Sequence, residues 1–209
     1  MKIFLTYLWE NPRLFFSVMI IVVLSICIHE FMHAFAALKL GDNTAAERGH
    51  LTLNPFKQMG LWSLITFALI GIAWGQVPVN PANYKHKYSA GLVAASGPLT
   101  NVVLGFLFGG LMFFCARAGI GDKFALNMLF VGGVLNIAIA ILNLLPIPGF
   151  DGWTILLNIK PDLLKKDSEW IKGSFFVVMI LVFTFFNVLF RIGETVIRAE
   201  LELLGRFLV

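Results

Sequence analysis

Charged side chains are scarce in this chain of 209 residues. Asp, Glu, Lys and Arg together make up 13% of it, whereas a soluble domain carries about 25%. Hydrophobic residues make up 58%, and the mean hydropathy is +0.84. This balance excludes a soluble globular domain and predicts an integral membrane protein that crosses the bilayer several times.

The chain also lacks features that would divide it into parts. It has no Gly/Ser linker, charge block, internal repeat or cleavable signal pattern, so we expect a single domain over residues 1–209 that retains its first apolar segment. The two cysteines, Cys27 and Cys115, lie in apolar runs and exclude a disulfide framework. The net charge of +4 fits basic loops at a membrane surface and predicts no nucleic-acid partner.

Five apolar segments follow one another along the chain. They are Leu14–Leu38, Leu61–Trp74, Ser89–Ala116, Phe124–Phe150 and Gly173–Phe190. Because a spanning helix needs about 20 apolar residues, all but the second predict a span, which gives about four spanning helices. The stretch 191–209 alternates charged and apolar residues and predicts an amphipathic extension at the membrane surface.

Two similar pieces flank the short segment Leu61–Trp74. Gly49–Pro55 precedes it, Gln76–Pro81 follows it, and each ends in Asn-Pro, which is typical of a short edge strand closed by a turn. If the pieces pair, the segment is a re-entrant hairpin; a short tilted helix is the alternative. We therefore predict an all-α polytopic membrane protein with about four spanning helices plus a re-entrant apolar hairpin flanked by a short β-strand pair.

A His-Glu-Phe-Met-His run, His29 to His33, lies near the end of the first apolar segment. A charged residue at the centre of a membrane helix costs roughly 2.5–3.5 kcal/mol, so three ionisable residues there indicate a function. On a helix, His29 and His33 face one side and can share a zinc ion, and Glu30 is placed to take a proton from a bound water. The alternative is chance, which is rarer in an apolar helix than in a soluble one.

A zinc ion that keeps a water ligand needs a third protein ligand. Asp151 is the only carboxylate that adjoins the fourth apolar segment, and it follows Pro146 and Pro148, which break the helix; the alternative is a loop residue at a helix end. His29 lies roughly 21 Å into its helix, and Asp151 reaches it only if the first and fourth segments run parallel. If Leu61–Trp74 crossed the membrane, the fourth segment would run antiparallel to the first. If it re-enters on one side, the two segments run parallel, so the ligand geometry favours the hairpin.

The chain resembles the site-2 protease family of intramembrane zinc metalloproteases. Three motifs carry the resemblance: the zinc pattern at 29–33, Ala-Ser-Gly-Pro-Leu-Thr-Asn at 95–101, and Asn-Leu-Leu-Pro-Ile-Pro-Gly-Phe-Asp-Gly at 143–152. They stand in the family's order. The chain is similar to the compact form without a PDZ or nucleotide-sensing domain, with a core over 14–153.

The resemblance implies a zinc-dependent intramembrane endopeptidase with one catalytic Zn²⁺ and a transmembrane or membrane-associated protein as substrate. The implied site residues are the ligands His29, His33 and Asp151, the general base Glu30, and Asn143, which steadies the developing oxyanion. Because a substrate helix must unwind before cleavage, we expect the two predicted strands to add the unwound substrate as a further strand.

The predicted topology also sets an orientation in the membrane. It puts nine Lys and Arg on the side where the first segment ends and seven on the other. Because cytoplasmic loops carry the excess of Lys and Arg, the active site is expected toward the cytoplasmic side of the cell membrane. The resemblance implies the same orientation for this multi-pass protein and its contact with membrane lipid.

Two other functions fit these residues less well. A metal transporter would need several successive polar sites across the bilayer, but the sequence has one cluster and would leave Glu30 without a task. An inactive relative that only binds helices would lack the general base or a metal ligand, and this sequence has the base and all three ligands. We therefore expect a protease.

Overall fold

The computed structural model describes the backbone of residues 4–162 and 168–207 and the side chains of residues 4–162 and 187–206. Within these residues the chain is all-helical, with nine α-helices, two short 3-10 turns (Phe4–Thr6 and Pro81–Asn83) and no strand. The α-helices are α1 (Tyr7–Glu10), α2 (Pro12–Lys39), α3 (Thr44–Glu47), α4 (Pro55–Gln58), α5 (Gly60–Ile70), α6 (Ser89–Arg117), α7 (Lys123–Leu144), α8 (Asp151–Ile159) and α9 (Ser168–Phe207).

Three of these helices are long and apolar enough to cross a membrane. Helices α2, α6 and α7 have 28, 29 and 22 residues, and at 1.5 Å per residue each exceeds the ~30 Å hydrocarbon core. The fourth predicted span, Gly173–Phe190, belongs to α9, and its side chains up to residue 186 lie outside the described residues. The described part of the chain therefore holds three candidate spans, where the sequence predicted about four.

The predicted β-strand pair is wrong. The Asn54 side chain accepts a backbone N–H of α4, and Pro55 is the first residue of that helix. In the same way Asn80 accepts a backbone N–H of the 3-10 turn that begins at Pro81. An Asn cap followed by Pro starts a helix, so the sequence interpretation took two helix starts for two strand ends. The expectation that the substrate adds to this strand pair is dropped with it.

The short apolar segment folds back on itself. Helix α5 has 11 residues and a length of about 16 Å, too little to cross a bilayer. It ends at Gly71, whose φ of 81° is in the left-handed region that favours glycine. The chain then returns along the helix without regular secondary structure over residues 72–80, which we call the return arm.

Hydrogen bonds hold the return arm against α5. Ser63 Oγ donates to the Trp74 carbonyl oxygen at 2.6 Å and accepts from the Trp74 N–H at 2.9 Å. The Gln76 N–H donates to the Gln58 carbonyl oxygen at 2.9 Å. Because Gln58 precedes α5, the middle of the return arm lies beside the start of the helix. The segment thus has one helical arm and one irregular arm, not two strands.

Helix α6 packs against α2, α7, α8 and α9. Its contact with α7 is close, since a Cβ at Gly133 would lie 3.1 Å from the Gly105 carbonyl oxygen. Ile197 of α9 is fully buried against Val134 and Ile137, and it lies 3.2 Å from the same Cβ position at Gly133. Helices α6, α7 and α9 thus meet at Gly133. The single-domain organisation and the surface position of residues 191–209 stay predictions.

Candidate metal centre

Two histidines of α2 each point their Nε2 atom toward the same place. His29 and His33 lie about one helical turn apart on one face of the helix, and both side chains are buried. Their Nε2 atoms are 2.9 Å apart. The helical spacing predicted from the sequence therefore brings the two imidazoles together.

The second nitrogen of each ring is held by α6. His29 Nδ1–H donates to Asn101 Oδ1, and His33 Nδ1–H donates to the Val93 carbonyl oxygen at 2.7 Å. In a neutral imidazole with its proton on Nδ1, the Nε2 atom carries a free lone pair. Both Nε2 atoms are thus left as ligands for a cation, and the hydrogen bonds fix the orientation of each ring.

The break between α7 and α8 brings Asp151 to the histidines. Helix α7 ends at Leu144, residues 145–150 turn the chain, and Asp151 is the first residue of α8. The turn is tight, because a Cβ at Gly152 would collide with the Leu144 carbonyl oxygen. The Asp151 carboxylate oxygens lie 3.2 Å from His29 Nε2 and 3.3 Å from His33 Nε2.

Three ligand atoms therefore converge, all within 4.8 Å of one another. Two imidazole lone pairs and a carboxylate repel one another unless a cation lies between them. Within the described residues, Asp151 Oδ2 is buried without a hydrogen-bond partner, as a free ligand atom would be. Zinc bonds of about 2.0–2.1 Å at tetrahedral angles put ligand atoms roughly 3.3 Å apart, and the separations here are 2.9, 3.2 and 3.3 Å. The donor set fits one zinc ion.

Space beside the three ligands is kept open by Gly97 of α6. A Cβ at this position would collide with the Nε2 atoms of both His29 and His33. The motif at 95–101 thus contributes the absence of a side chain at Gly97, which leaves room beside the candidate ligands, and the Asn101 amide behind His29.

Glu30 and the three ligand residues line one cavity of about 880 Å³. The Glu30 side chain is 8% exposed. The return arm packs directly on it, because a Cβ at Gly75 would collide with the Glu30 carboxylate. The carboxylate therefore shares one cavity with the candidate metal ligands, as a proton acceptor for a water in that cavity must.

Asn143, predicted to steady an oxyanion, lies in the wall of the same cavity. Its Nδ2 donates to the Ile139 carbonyl oxygen of its own helix at 3.0 Å. An Asn amide carries two N–H donors, so the second is left for a group in the cavity. The catalytic role of Asn143 stays a prediction.

A buried polar network lies behind His29, and the sequence interpretation did not connect it to the metal site. Asn101 Nδ2 donates to Asn136 Oδ1 at 2.9 Å, and Asn136 Nδ2 donates to Ser25 Oγ and to the Gly132 carbonyl oxygen, each at 2.9 Å. The network joins α2, α6 and α7. Its signal in the sequence is the presence of polar residues in apolar spans, where they are costly unless they find partners.

Asn101→Leu is expected to lower the zinc affinity about 10–100-fold, the usual effect of losing the group that orients a ligating histidine. Asn101→Asp keeps an acceptor for His29 Nδ1–H and is expected to lower it less. Competition with a chelating dye on the purified protein measures both affinities. Equal affinities for wild type and Asn101→Leu would show that Asn101 does not support the metal site.

Asp42 ties the return arm to the end of α2. The buried carboxylate accepts hydrogen bonds from the Thr44 N–H and hydroxyl, from the Asn80 N–H at 2.6 Å and from Asn83 Nδ2 at 2.9 Å. Burial raises the pKa of Asp42, but these hydrogen bonds outweigh it and hold the pKa below its ordinary value. Burial and the Asp42 charge together raise the pKa of Tyr84, which lines the cavity, to about 12.

Asp42→Asn is expected to lower the free energy of unfolding by roughly 1.5–3 kcal/mol, the range for hydrogen bonds to a charged group. In the wild type this stabilisation is present above the unfolded carboxyl pKa of about 3.9 and is lost as the pH falls through the lower folded pKa. Thermal unfolding in detergent at neutral and acidic pH measures the difference, which should shrink in acid. The control Glu47→Gln removes an exposed charge nearby; an equal effect of both substitutions would contradict the assignment.

The curated proteins that match the chain carry related names. "Putative zinc metalloprotease YwhC" of Bacillus subtilis is 30% identical over 176 residues, which cover 78% of this chain and 78% of that protein. "Putative zinc metalloprotease Rip2" of Mycolicibacterium smegmatis is 33% identical over 189 residues, 83% of this chain and 71% of that protein. "Putative zinc metalloprotease MJ0611" of Methanocaldococcus jannaschii is 30% identical over 162 residues, 73% of this chain and 77% of that protein. No family model and no solved structure matches the chain.

Proposed function

Since the chain belongs to the site-2 protease-like family of zinc metalloproteases, we propose that it is an intramembrane endopeptidase that hydrolyses peptide bonds of transmembrane or membrane-associated proteins. The main support for the proposal is how far the candidate ligands lie from the ends of α2. His29 is the eighteenth of the 28 residues of α2, about 25 Å from the start of this candidate span and about 15 Å from its end. A protease that acted on soluble proteins would have no need of ligands so far inside an apolar helix.

In this proposal His29, His33 and Asp151 hold one Zn²⁺ ion. When bound, zinc lowers the pKa of a water toward 7 and polarises the scissile carbonyl. The protein's own part is to orient the ligands: Asn101 and the Val93 carbonyl hold the two rings through their Nδ1–H groups.

Glu30 is the general base in this proposal. Its carboxylate takes a proton from the attacking water and later passes it to the leaving amine. Asn143 lines the cavity, and we assign its second amide N–H to the oxyanion of the tetrahedral intermediate. A donor of this kind contributes roughly 2.7–4 kcal/mol to catalysis.

The lining of the cavity suits a segment of a membrane protein. Its volume of about 880 Å³ is large enough for several side chains, and its walls include apolar residues such as Val22, Ile26, Phe67 and Leu135. The carbonyl groups of a substrate helix are bonded within the helix, so the segment must unwind before cleavage. The cavity takes that unwound segment.

We place the protein in the cell membrane with the histidine-bearing end of α2 toward the cytoplasm. The excess of Lys and Arg on the side where α2 ends supports this orientation. Three candidate spans support the membrane location.

Co-expression with a panel of single-span membrane proteins, tagged at both ends, tests the proposal. Fragments are expected from at least one substrate, cut within or beside its apolar segment. In membranes, a zinc chelator should abolish the cut and added zinc should restore it. Cleavage of soluble proteins alone would contradict an intramembrane protease, and zinc flux into vesicles without cleavage of any substrate would favour a transporter.

A further inference from the structure

A second, smaller cavity of about 300 Å³ lies between the residues that follow α3 and the start of α5. Arg48, His50 and Lys57 line it, and the described lining includes no acidic side chain. In the part of the chain that the structure describes, neither Arg48 nor Lys57 forms a salt bridge. We call this space the basic cavity. Its positive charge is therefore available to an anion.

The wall of the basic cavity is built around Gln58. The Gln58 side chain is fully buried, and its Nε2 donates to the carbonyl oxygens of His50 at 2.9 Å and Thr52 at 2.6 Å. Two other buried atoms of this wall, Gln58 Oε1 and His50 Nδ1, have no hydrogen-bond partner among the described residues. Unpartnered buried polar atoms point to a group that belongs beside them. Gln58 Oε1 only accepts and suits a bridging water, whereas His50 Nδ1 can donate to an anion when it carries the ring proton.

Exposed apolar side chains adjoin the residues of the basic cavity. Phe56 comes directly before Lys57 and is 65% exposed, and Leu61 and Trp62 come directly after Gly60 and are 58% and 75% exposed. A cationic cavity with large apolar side chains next to it suits a ligand that has an anionic group and a hydrocarbon part.

We propose that the basic cavity binds the phosphate group of an anionic membrane lipid. A lipid supplies both a phosphate for Arg48 and Lys57 and acyl chains for the exposed apolar side chains. An acidic peptide would satisfy the charge but leave Phe56 and Trp62 uncovered. The proposal rests on the membrane location of the chain and not on peptide hydrolysis, so it can fail or hold separately from the proposed protease.

The basic cavity lies next to the active-site cavity. Gln76 of the return arm lines both, and its N–H donates to the Gln58 carbonyl oxygen. A lipid held by Arg48 and Lys57 would therefore lie beside the return arm, the segment that packs on Glu30 through Gly75.

Native mass spectrometry of the full chain in detergent tests the proposal. The probes are phosphatidylglycerol and phosphatidylcholine with the same acyl chains, added in equal amounts. The wild type is expected to retain phosphatidylglycerol preferentially. The double variant R48Q/K57Q should lose that preference by roughly tenfold or more, since each basic residue near an anionic lipid changes binding about fivefold. The matched control R117Q/K123Q removes the same charge from two exposed positions, the last residue of α6 and the first of α7, and should keep the preference for phosphatidylglycerol.

Two results would overturn the proposal. One is equal retention of the two lipids by the wild type. If inorganic phosphate bound in that case, the cavity would be assigned to soluble anions. The other is an equal loss of preference in both double variants, which would show a general effect of net charge. The zinc content of R48Q/K57Q should match that of the wild type, so that misfolding is not mistaken for loss of the lipid site.

Discussion

Glu30→Gln is expected to leave one zinc ion bound and to lower the rate of peptide cleavage by about 10²–10⁴-fold, the usual contribution of a general base. The amide has nearly the size of the carboxylate, so it fits in the same buried position beside the return arm. It cannot accept the proton of the attacking water. Metal analysis and fragment yield, measured on the same membranes, give the two quantities.

The control for this prediction is Glu47→Gln, which makes the same chemical change at an exposed position of α3 and should leave the rate unchanged. A wild-type rate in Glu30→Gln would remove Glu30 from catalysis. Loss of zinc in Glu30→Gln would instead make Glu30 a ligand, and would contradict a site that is completed by Asp151.

Gly97→Ala is expected to lower the zinc affinity by at least about 100-fold, beyond the 10–100-fold that follows from losing an orienting partner. The added methyl group would collide with the Nε2 atoms of His29 and His33, and these are the atoms that should contact the metal. One imidazole must turn away or α6 must shift from α2. Either change separates the ligands.

Gly110→Ala is the matched control in the same helix. A Cβ at Gly110 would meet only Glu200 Oε1, at 3.7 Å, which is an ordinary van der Waals contact. The stability of this variant should change little and its zinc affinity not at all. If Gly97→Ala bound zinc as tightly as Gly110→Ala, the space beside the histidines would not belong to the metal.

The group of three candidate ligands could be predicted from the sequence because strong local rules act on it. His29 and His33 are four residues apart in a helix, so they share a face whatever the rest of the fold does. Asp151 follows a proline break, and the break does turn the chain toward α2. The positions of the residues behind the ligands could not be predicted in this way. Asn101 and Gly97 reach the histidines because α6 crosses α2 there, and the spacing of residues along the chain does not determine where two helices cross.

The strand pair was the main error, and its cause is local. Asn-Pro was read as the end of a strand, but Asn54 and Asn80 cap the turns that begin at the following prolines. The return arm has no regular secondary structure, and its hydrogen bonds to α5 and the residues before it go to the Ser63 hydroxyl and to the Gln58 carbonyl. An Asn-Pro pair alone cannot tell the end of such an arm from the end of a strand.

X-ray absorption at the zinc edge of the purified protein determines whether His29, His33 and Asp151 hold a zinc ion. We expect one zinc ion per chain with two imidazole nitrogens at about 2.0–2.1 Å and oxygen ligands at about 2.0–2.2 Å, and a lower oxygen count and affinity in Asp151→Ala. Sulfur scattering near 2.3 Å would implicate Cys27 or Cys115 and contradict the site described here. So would a spectrum that Asp151→Ala leaves unchanged.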